Sequence, residues 1–126
     1  MSEQSSPVST VPKFERVEDF VSAYADNARF EATVFNLKMI FGEIDLSSGT
    51  EVVKQHTSIT LPWALVKLVV FYLQINILLH EAQIGKITVP PNQAPPAMPE
   101  MSEVADVPQA LIDSVKRLRE QFIASM

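Results

Sequence analysis

The sequence predicts an α+β protein: a three- to four-stranded antiparallel sheet packed on one long apolar helix, followed by a C-terminal amphipathic helix. Segments between residues 24 and 59 alternate apolar and polar side chains, which is the period of half-buried strands. The only long apolar run in the chain covers residues 60–85, and a second helical pattern follows a proline-rich stretch. Everything else is expected to arrange itself around residues 60–85.

Four regions are predicted along the 126 residues. Residues 1–15 are rich in Ser, Pro, Thr and Val without periodicity, so we expect a disordered N-terminal tail. Residues 16–89 form the α+β domain. Residues 90–107 contain five of the nine prolines of the chain and are expected to be an extended linker. Residues 108–126 form the last helix.

Three strands are predicted, at residues 28–34, 37–44 and 51–59, and short connections favour antiparallel neighbours. The sequence at 45–50, DLSSGT, is typical of a turn. Residues 86–89 fit a short fourth strand at the sheet edge. One side of the third strand is expected to carry Val53, Gln55, Thr57 and Ile59.

The long helix is predicted from its length and its ends. Thr60 is a suitable cap, Pro62 suits the first turn, and Gly85 suits a left-handed stop. At 100° per residue, two apolar stripes run between two polar lines. One stripe is Ala64, Leu68, Phe71, Ile75, Leu79 and Ala82. The other is Val66, Val70, Leu73, Ile77 and Ile84. The polar lines are Lys67, Gln74 and Glu81, and Tyr72, Asn76, His80 and Gln83.

A single sheet covers only one stripe, so the second stripe predicts self-association. Burying an aliphatic side chain contributes about 1.5–3 kcal/mol before entropic costs, and an uncovered stripe would leave a large apolar patch in water. We therefore expect a homodimer or higher homo-oligomer whose interface contains Val66, Val70, Leu73, Ile77 and Ile84. A bilayer is the rival cover, but Lys67, Gln74 and Asn76 lie deep inside the segment, where charged groups are costly.

The composition excludes several classes of protein. A net charge of −5 argues against a general nucleic-acid-binding surface, and Lys116, Arg117 and Arg119 fit a solvated helix face. The absence of cysteine excludes disulfides and thiolate chemistry. The first twenty residues lack the basic and apolar stretches of a signal peptide, so the protein is expected to be cytoplasmic.

No residue pattern predicts catalysis, a cofactor or a metal. Gly42, Gly49 and Gly85 are too far apart for a phosphate-binding loop, and Glu43 with Asp45 lacks a third cation ligand. His56 is expected on the strand face that carries Lys54 and Ser58, as a surface residue. The last candidate site is a polar line on the long helix that fits an interface boundary or the wall of a ligand pocket: Tyr72, Asn76 and His80.

The last helix is predicted from Pro108 to about Ala124, with one amphipathic stripe. Leu111, Val115, Leu118 and Phe122 recur at helical spacing. This stripe fits docking on its own domain, on a neighbouring subunit or on a partner protein.

Several short motifs together resemble one family. Residues 24–27 (YADN) precede an alternating strand, residues 40–42 (IFG) end the next, and the helix carries Leu73-Gln74, Asn76-Ile77 and Glu81. This set, over residues 24–89, resembles DUF3467, a family of short bacterial and archaeal proteins of unknown function. Leu61-Pro62 and His80-Glu81 stand where many members have Ser-Pro and Tyr-Glu. The resemblance implies the fold but no activity, so it assigns no catalytic residues.

Three functions remain open at this point. The first is a non-enzymatic, homo-oligomeric protein–protein interaction module of unknown cellular role. The second is a chaperone-like or adaptor protein that presents apolar surface to client chains; the order of strands and helix is also similar to that of export chaperones of the SecB type. The third is a small ligand-binding protein.

Overall fold

Three strands, two long helices and one short 3-10 helix follow one another in the described part of the chain. The computed structural model describes residues 11–97 and 107–126. The strands are β1 (Asn27–Ala32), β2 (Asn36–Asp45) and β3 (Val52–Pro62). The helices are α1 (Trp63–Gln83), a 3-10 turn at Pro91–Gln93 and α2 (Gln109–Ser125). The α+β architecture is therefore as expected, with a proline-rich connection before the last helix.

The sheet is antiparallel in the order β1-β2-β3, so β2 is central. Partners in the register share a face, and this sorts the strands into an apolar and a polar side. Met39 pairs with Phe30 and Ile59, while Ile40 pairs with Arg29 and Ser58. We call the first side the apolar sheet face. It comprises Ala28, Phe30, Ala32, Leu37, Met39, Phe41, Thr57, Ile59 and Leu61.

A β-bulge interrupts β3. Phe41 pairs with Thr57 and the next residue, Gly42, pairs with Gln55, so His56 is the extra residue. A bulge places two consecutive residues opposite one and reverses the alternation beyond it. The prediction that Val53 and Gln55 share a side with Thr57 and Ile59 is therefore wrong.

Gly42 allows the two strands to approach closely at this bulge. It is buried, and a Cβ at this position would lie 2.6 Å from the carbonyl oxygen of Lys54. Asp26 fixes the same point from the other side. Its backbone N–H donates to the carbonyl of Gly42 (3.1 Å), and its Oδ1 accepts the N–H of Ile44 (2.9 Å).

Local hydrogen bonds form the two hairpin turns. Thr33 Oγ1 accepts the N–H groups of Phe35 and Asn36, which closes the β1–β2 turn. In the β2–β3 turn, Gly49 has φ +82°, a conformation that costs glycine little, and Asp45 accepts the N–H of Ser47 at 2.8 Å. The turn predicted at residues 45–50 is confirmed.

The boundary between β3 and α1 differs from the expectation. β3 continues to Pro62 and the helix begins at Trp63, so Thr60 is a strand residue and does not cap the helix. The pairing of Thr60 with Lys38 and of Leu61 with Leu37 extends the strand, because ladder bonds outweigh a local capping preference. At the other end, the N–H groups of Ile84 and Gly85 both reach the carbonyl of His80.

Residues 86–89 are not a strand, so the sheet of the described residues has three strands. Pro108 precedes α2, as predicted. The chain divides into two units between Trp63 and Ala64, inside the predicted domain 16–89. Residues 1–10 of the predicted tail and 98–106 of the predicted linker lie outside the described residues.

Candidate interaction surfaces

The apolar sheet face is a continuous surface built by the alternation of three strands. Three cross-strand rows form it, centred on Leu37, Met39 and Phe41 of β2. Its residues are exposed or half-buried, and Phe30 at the centre of β1 is 60% exposed. The sequence analysis predicted the alternation but did not select this face as a site, because it assumed that a helix covers it.

Four of the five predicted interface residues lie on α1, and the fifth directly follows it. α1 has 21 residues and none of them is buried. Val70, Leu73 and Ile77 are 49%, 56% and 49% exposed, while Val66 is half-buried and Ile84 follows the helix, exposed. The other stripe is exposed as well, since Leu68, Phe71 and Leu79 are each more than half accessible.

The predicted polar line does not form a site among its own side chains. Asn76 Nδ2 donates to the backbone carbonyl of Tyr72 at 2.8 Å, and the Tyr72 ring packs edge-on against Phe71 with centroids 5.5 Å apart. Among the described residues, no hydrogen bond joins the side chains of Tyr72, Asn76 and His80. The Asn76 amide group therefore donates a hydrogen bond within its own helix.

His56 occupies a more specific position than the sequence analysis predicted. Because it is the bulge residue, its ring lies on the apolar sheet face beside Thr57, with Nδ1 2.7 Å from Thr57 Oγ1. Its Nε2 is 2.8 Å from the carbonyl oxygen of Tyr24. His56 is exposed and shares a side with Lys54, as expected, but Ser58 lies on the opposite side, so the expected placement beside Ser58 is wrong. The bulge that causes it depends on pairing between distant residues.

An open groove of about 360 Å³ lies at this end of the sheet. Phe41, His56 and Ile59 form its floor, and Val21 and Ala25 form a wall from the segment before β1. Both ring nitrogens of His56 already have partners within hydrogen-bond distance, so the groove offers mainly apolar contacts. It is a second candidate binding surface, formed within the first unit.

Asp45 is an acidic side chain in the β2–β3 turn whose proton affinity is lowered by its neighbours. Hydrogen bonds from the side chain and backbone of Ser47, with a further contribution from Lys54, lower the pKa of Asp45 to about 2. Lys54 Nζ lies 3.2 Å from Asp45 Oδ2. Asp45 is therefore engaged in the turn. Among the described residues, no group of three or more His, Asp or Glu side chains is placed to hold a metal ion.

In the second unit, α2 contacts residues that precede it in the same chain. Ile112 is buried, and Arg119 Nε donates to the carbonyls of Pro95 and Pro96 at 3.1 Å each. Lys86 Nζ donates to the backbone carbonyl of Met126 at 3.2 Å. Of the docking modes left open by the sequence, the structure shows contacts of α2 with its own chain.

α1 is the only helix of the described residues with the length and composition to cross a membrane, with a mean hydropathy of 1.6. The core helix of a soluble protein passes the same test when it is mostly buried, and α1 is not buried in the single chain.

The comparisons with known proteins found no match among family models, curated proteins or solved structures. The resemblance to DUF3467 accordingly stays an expectation from the sequence.

Proposed function

We propose that this protein is a non-enzymatic, homo-oligomeric protein–protein interaction module that acts in the cytoplasm, with α1 as its self-association surface. One observation carries the proposal: an apolar helix of 21 residues has no buried residue. Exposed apolar patches larger than a few hundred Å² are uncommon on soluble monomers and mark interaction sites. A second copy supplies an identical, complementary apolar surface.

The energetics support association and show what it requires. A two-fold dimer is isologous, so each interface residue contributes twice. Ten half-exposed side chains from two copies of Val66, Val70, Leu73, Ile77 and Ile84 give roughly 8–15 kcal/mol on burial. Association costs about 4–15 kcal/mol in lost freedom of motion. Burial of the α1 stripe alone contributes about as much free energy as association costs, so a stable oligomer needs additional buried surface.

A second copy is favoured over a lipid bilayer by the polar residues of α1. Lys67 lies in the second turn, and Gln74 and Asn76 lie near the middle of the helix. An amide side chain moved from water into an apolar environment without a compensating hydrogen bond costs about 2–7 kcal/mol, so the amide groups of Gln74 and Asn76 disfavour the bilayer interior. In a protein interface these side chains line the polar edges of the stripes and remain in water.

The experiment that tests the proposal is a mass measurement by light scattering at micromolar concentration in buffer without detergent. We expect a dimer or larger oligomer, and we expect Leu73→Asp to dissociate or unfold it, because the carboxylate would be buried. Gln74→Asp is the matched control, since it adds the same charge on a polar line one residue away. A wild-type monomer, or an oligomer unaffected by Leu73→Asp, would overturn the proposal.

The apolar sheet face favours a second candidate, a chaperone-like or adaptor protein that binds apolar segments of client chains. A folded oligomer that keeps this face open should bind an environment-sensitive dye and suppress aggregation of a denatured test protein. An assembly that does neither has this face covered and does not act as a chaperone.

The groove beside His56 favours the third candidate, binding of a small apolar ligand. His56→Ala should then weaken binding of an apolar fluorescent probe without changing the oligomer mass. Equal probe binding by the wild-type protein and by His56→Ala would exclude the groove as the binding site.

A further inference from the structure

The outer edge of β3 is less protected than the outer edge of β1. β3 has eleven residues, lies at the edge of the sheet and carries a single charged side chain, Lys54. Its one proline is the last residue, Pro62. The opposite edge, β1, has six residues and carries Arg29 and Glu31. Short length, charge and β-bulges are the usual protections of an edge strand. β1 is short and carries two charges, whereas β3 is long and has only Lys54 and the bulge at His56, both in its N-terminal half.

The backbone of β3 has hydrogen-bonding capacity to spare. In an antiparallel edge strand, alternate residues direct N–H and C=O groups away from the sheet. In the described part of the chain, β3 pairs with β2 alone, and none of its outward backbone groups has a backbone partner. Such a row of groups is a template for another strand.

We propose that β3 pairs with β3 of a second copy, antiparallel across a two-fold axis, to form one continuous six-stranded sheet. This inference rests on the proposed self-association and names a second surface for it. The axis falls near the strand centre, between Thr57 and Ile59. The three strands of each copy then form one half of the joined sheet.

The charge on β3 favours a second copy in antiparallel orientation. With the axis near Ser58, Lys54 of one copy faces residues 60–62 of the other. The two lysines are then about 20–27 Å apart at about 3.4 Å per residue, so they do not repel each other appreciably at physiological ionic strength.

The buried area that a stable dimer needs also favours a second copy of this chain as the partner of β3. The α1 stripe alone comes close to balancing the cost of association, and specific interfaces bury about 800 Å² on each partner. Pairing of β3 adds a ladder of hydrogen bonds and brings Thr57, Ile59 and Leu61 of both copies side by side on one apolar face. Pairing of β3 therefore adds buried surface to the proposed self-association.

Charge substitution at Ser58 tests the pairing. Ser58 lies on the polar face in one cross-strand row with Ile40 and Arg29, so a charged side chain there stays in solvent. In Ser58→Lys, or in Ser58→Glu, like charges meet near the axis. We expect each variant alone to form a dimer on the order of fivefold weaker at low salt, and an equimolar mixture to form the Lys–Glu heterodimer preferentially, measured by native mass spectrometry.

Arg29→Glu is the matched control. It changes the charge of the same row at the protected β1 edge, and we expect the wild-type dissociation constant. Circular dichroism verifies that each variant is folded. Amide hydrogen exchange of the wild-type protein gives a readout without any substitution, since the outward amides of β3 should be protected and those of β1 should exchange freely.

The outcomes separate this inference from the proposed function. If the Ser58 variants keep the wild-type affinity and show no heterodimer preference, while Leu73→Asp still dissociates the oligomer, β3 pairing is wrong and association through α1 stands. Free exchange of the outward β3 amides in the oligomer also overturns the pairing. A monomeric wild-type protein overturns both.

Discussion

Of the three glycines, Gly42 is the one where an added Cβ atom would clash with neighbouring atoms. Its Cβ would lie 2.6 Å from the carbonyl oxygen of Lys54 and 2.9 Å from Cα of Gln55. Both are backbone atoms, so a side-chain rotation cannot relieve the contact. We expect Gly42→Ala to lower the free energy of unfolding by about 1–3 kcal/mol, measured by urea denaturation.

Gly49 provides the comparison for Gly42. No atom lies within 4 Å of a Cβ at this position, but φ is +82°. Asn tolerates this conformation better than other side chains, so Gly49→Asn should cost less than about 1 kcal/mol. An equal loss for both variants would show that crowding at the bulge is not the reason Gly42 is required.

Asp45 should contribute a pH-dependent stabilisation. Hydrogen bonds from Ser47, then Lys54, lower the pKa of Asp45 from 3.8 to about 2. A depressed folded-state pKa means that the contribution is complete above the unfolded value of 3.8 and is lost as pH falls toward 2. We expect Asp45→Asn to remove this component from a plot of stability against pH between those values. An NMR titration that gives the Asp45 carboxyl an ordinary pKa would contradict this prediction.

At the level of secondary structure, Arg119 links α2 to the segment that precedes it. Arg119 donates from Nε to the carbonyls of Pro95 and Pro96, and hydrogen bonds from charged groups contribute about 1.5–3 kcal/mol. We expect Arg119→Ala to speed amide exchange in α2 about fivefold or more. Arg117→Ala, an exposed position on the same helix, should not. If the two variants behave alike, the Arg119 contacts do not hold α2.

The strands and helices could be predicted where the signal is local. Alternation over Ala28, Phe30 and Ala32 predicts β1, and the spacing of Leu111, Val115 and Leu118 predicts α2. The start of α1 could not be predicted, because Thr60 and Pro62 satisfy both the end of a strand and the start of a helix. Pairing with β2, which depends on residues 22–26 positions earlier in the chain, decides in favour of the strand. The bulge at His56 was missed for the same reason.

For the whole molecule, self-association predicts that thermal stability depends on concentration. If the dimer is the folded species, a hundredfold dilution lowers its stability by about 2.7 kcal/mol, which lowers Tm by about 5 °C for two chains of this size. Differential scanning calorimetry over that range measures it. Ser58→Lys at low salt should show a lower Tm at every concentration, whereas a Tm independent of dilution would contradict coupled folding and association.

Some candidate surfaces could be predicted from local sequence patterns, and others depend on how the strands pair, as for the fold. Two stripes on α1 could be predicted because helical periodicity determines them from sequence alone. The apolar sheet face was implied by the alternation but was assigned to the interior. The His56 groove needs the bulge, and the contrast between the β1 and β3 edges needs the strand order, neither of which a single sequence states. Local patterns therefore predict which residues are apolar, and the pairing of strands determines where they are presented.

The bulge in β3 also limits how much of the sheet a partner can use. Beyond His56 the alternation reverses, and the side that carries Phe30, Met39 and Ile59 continues as Lys54 and Asp45, which form an ion pair at 3.2 Å. An apolar partner surface would have to desolvate this ion pair, so we expect the contact to end before Lys54 and Asp45. The bulge thus places Lys54 beside the acidic end of β2, whereas a regular ladder with His56 opposite Gly42 would place Gln55 and Val53 on this side instead.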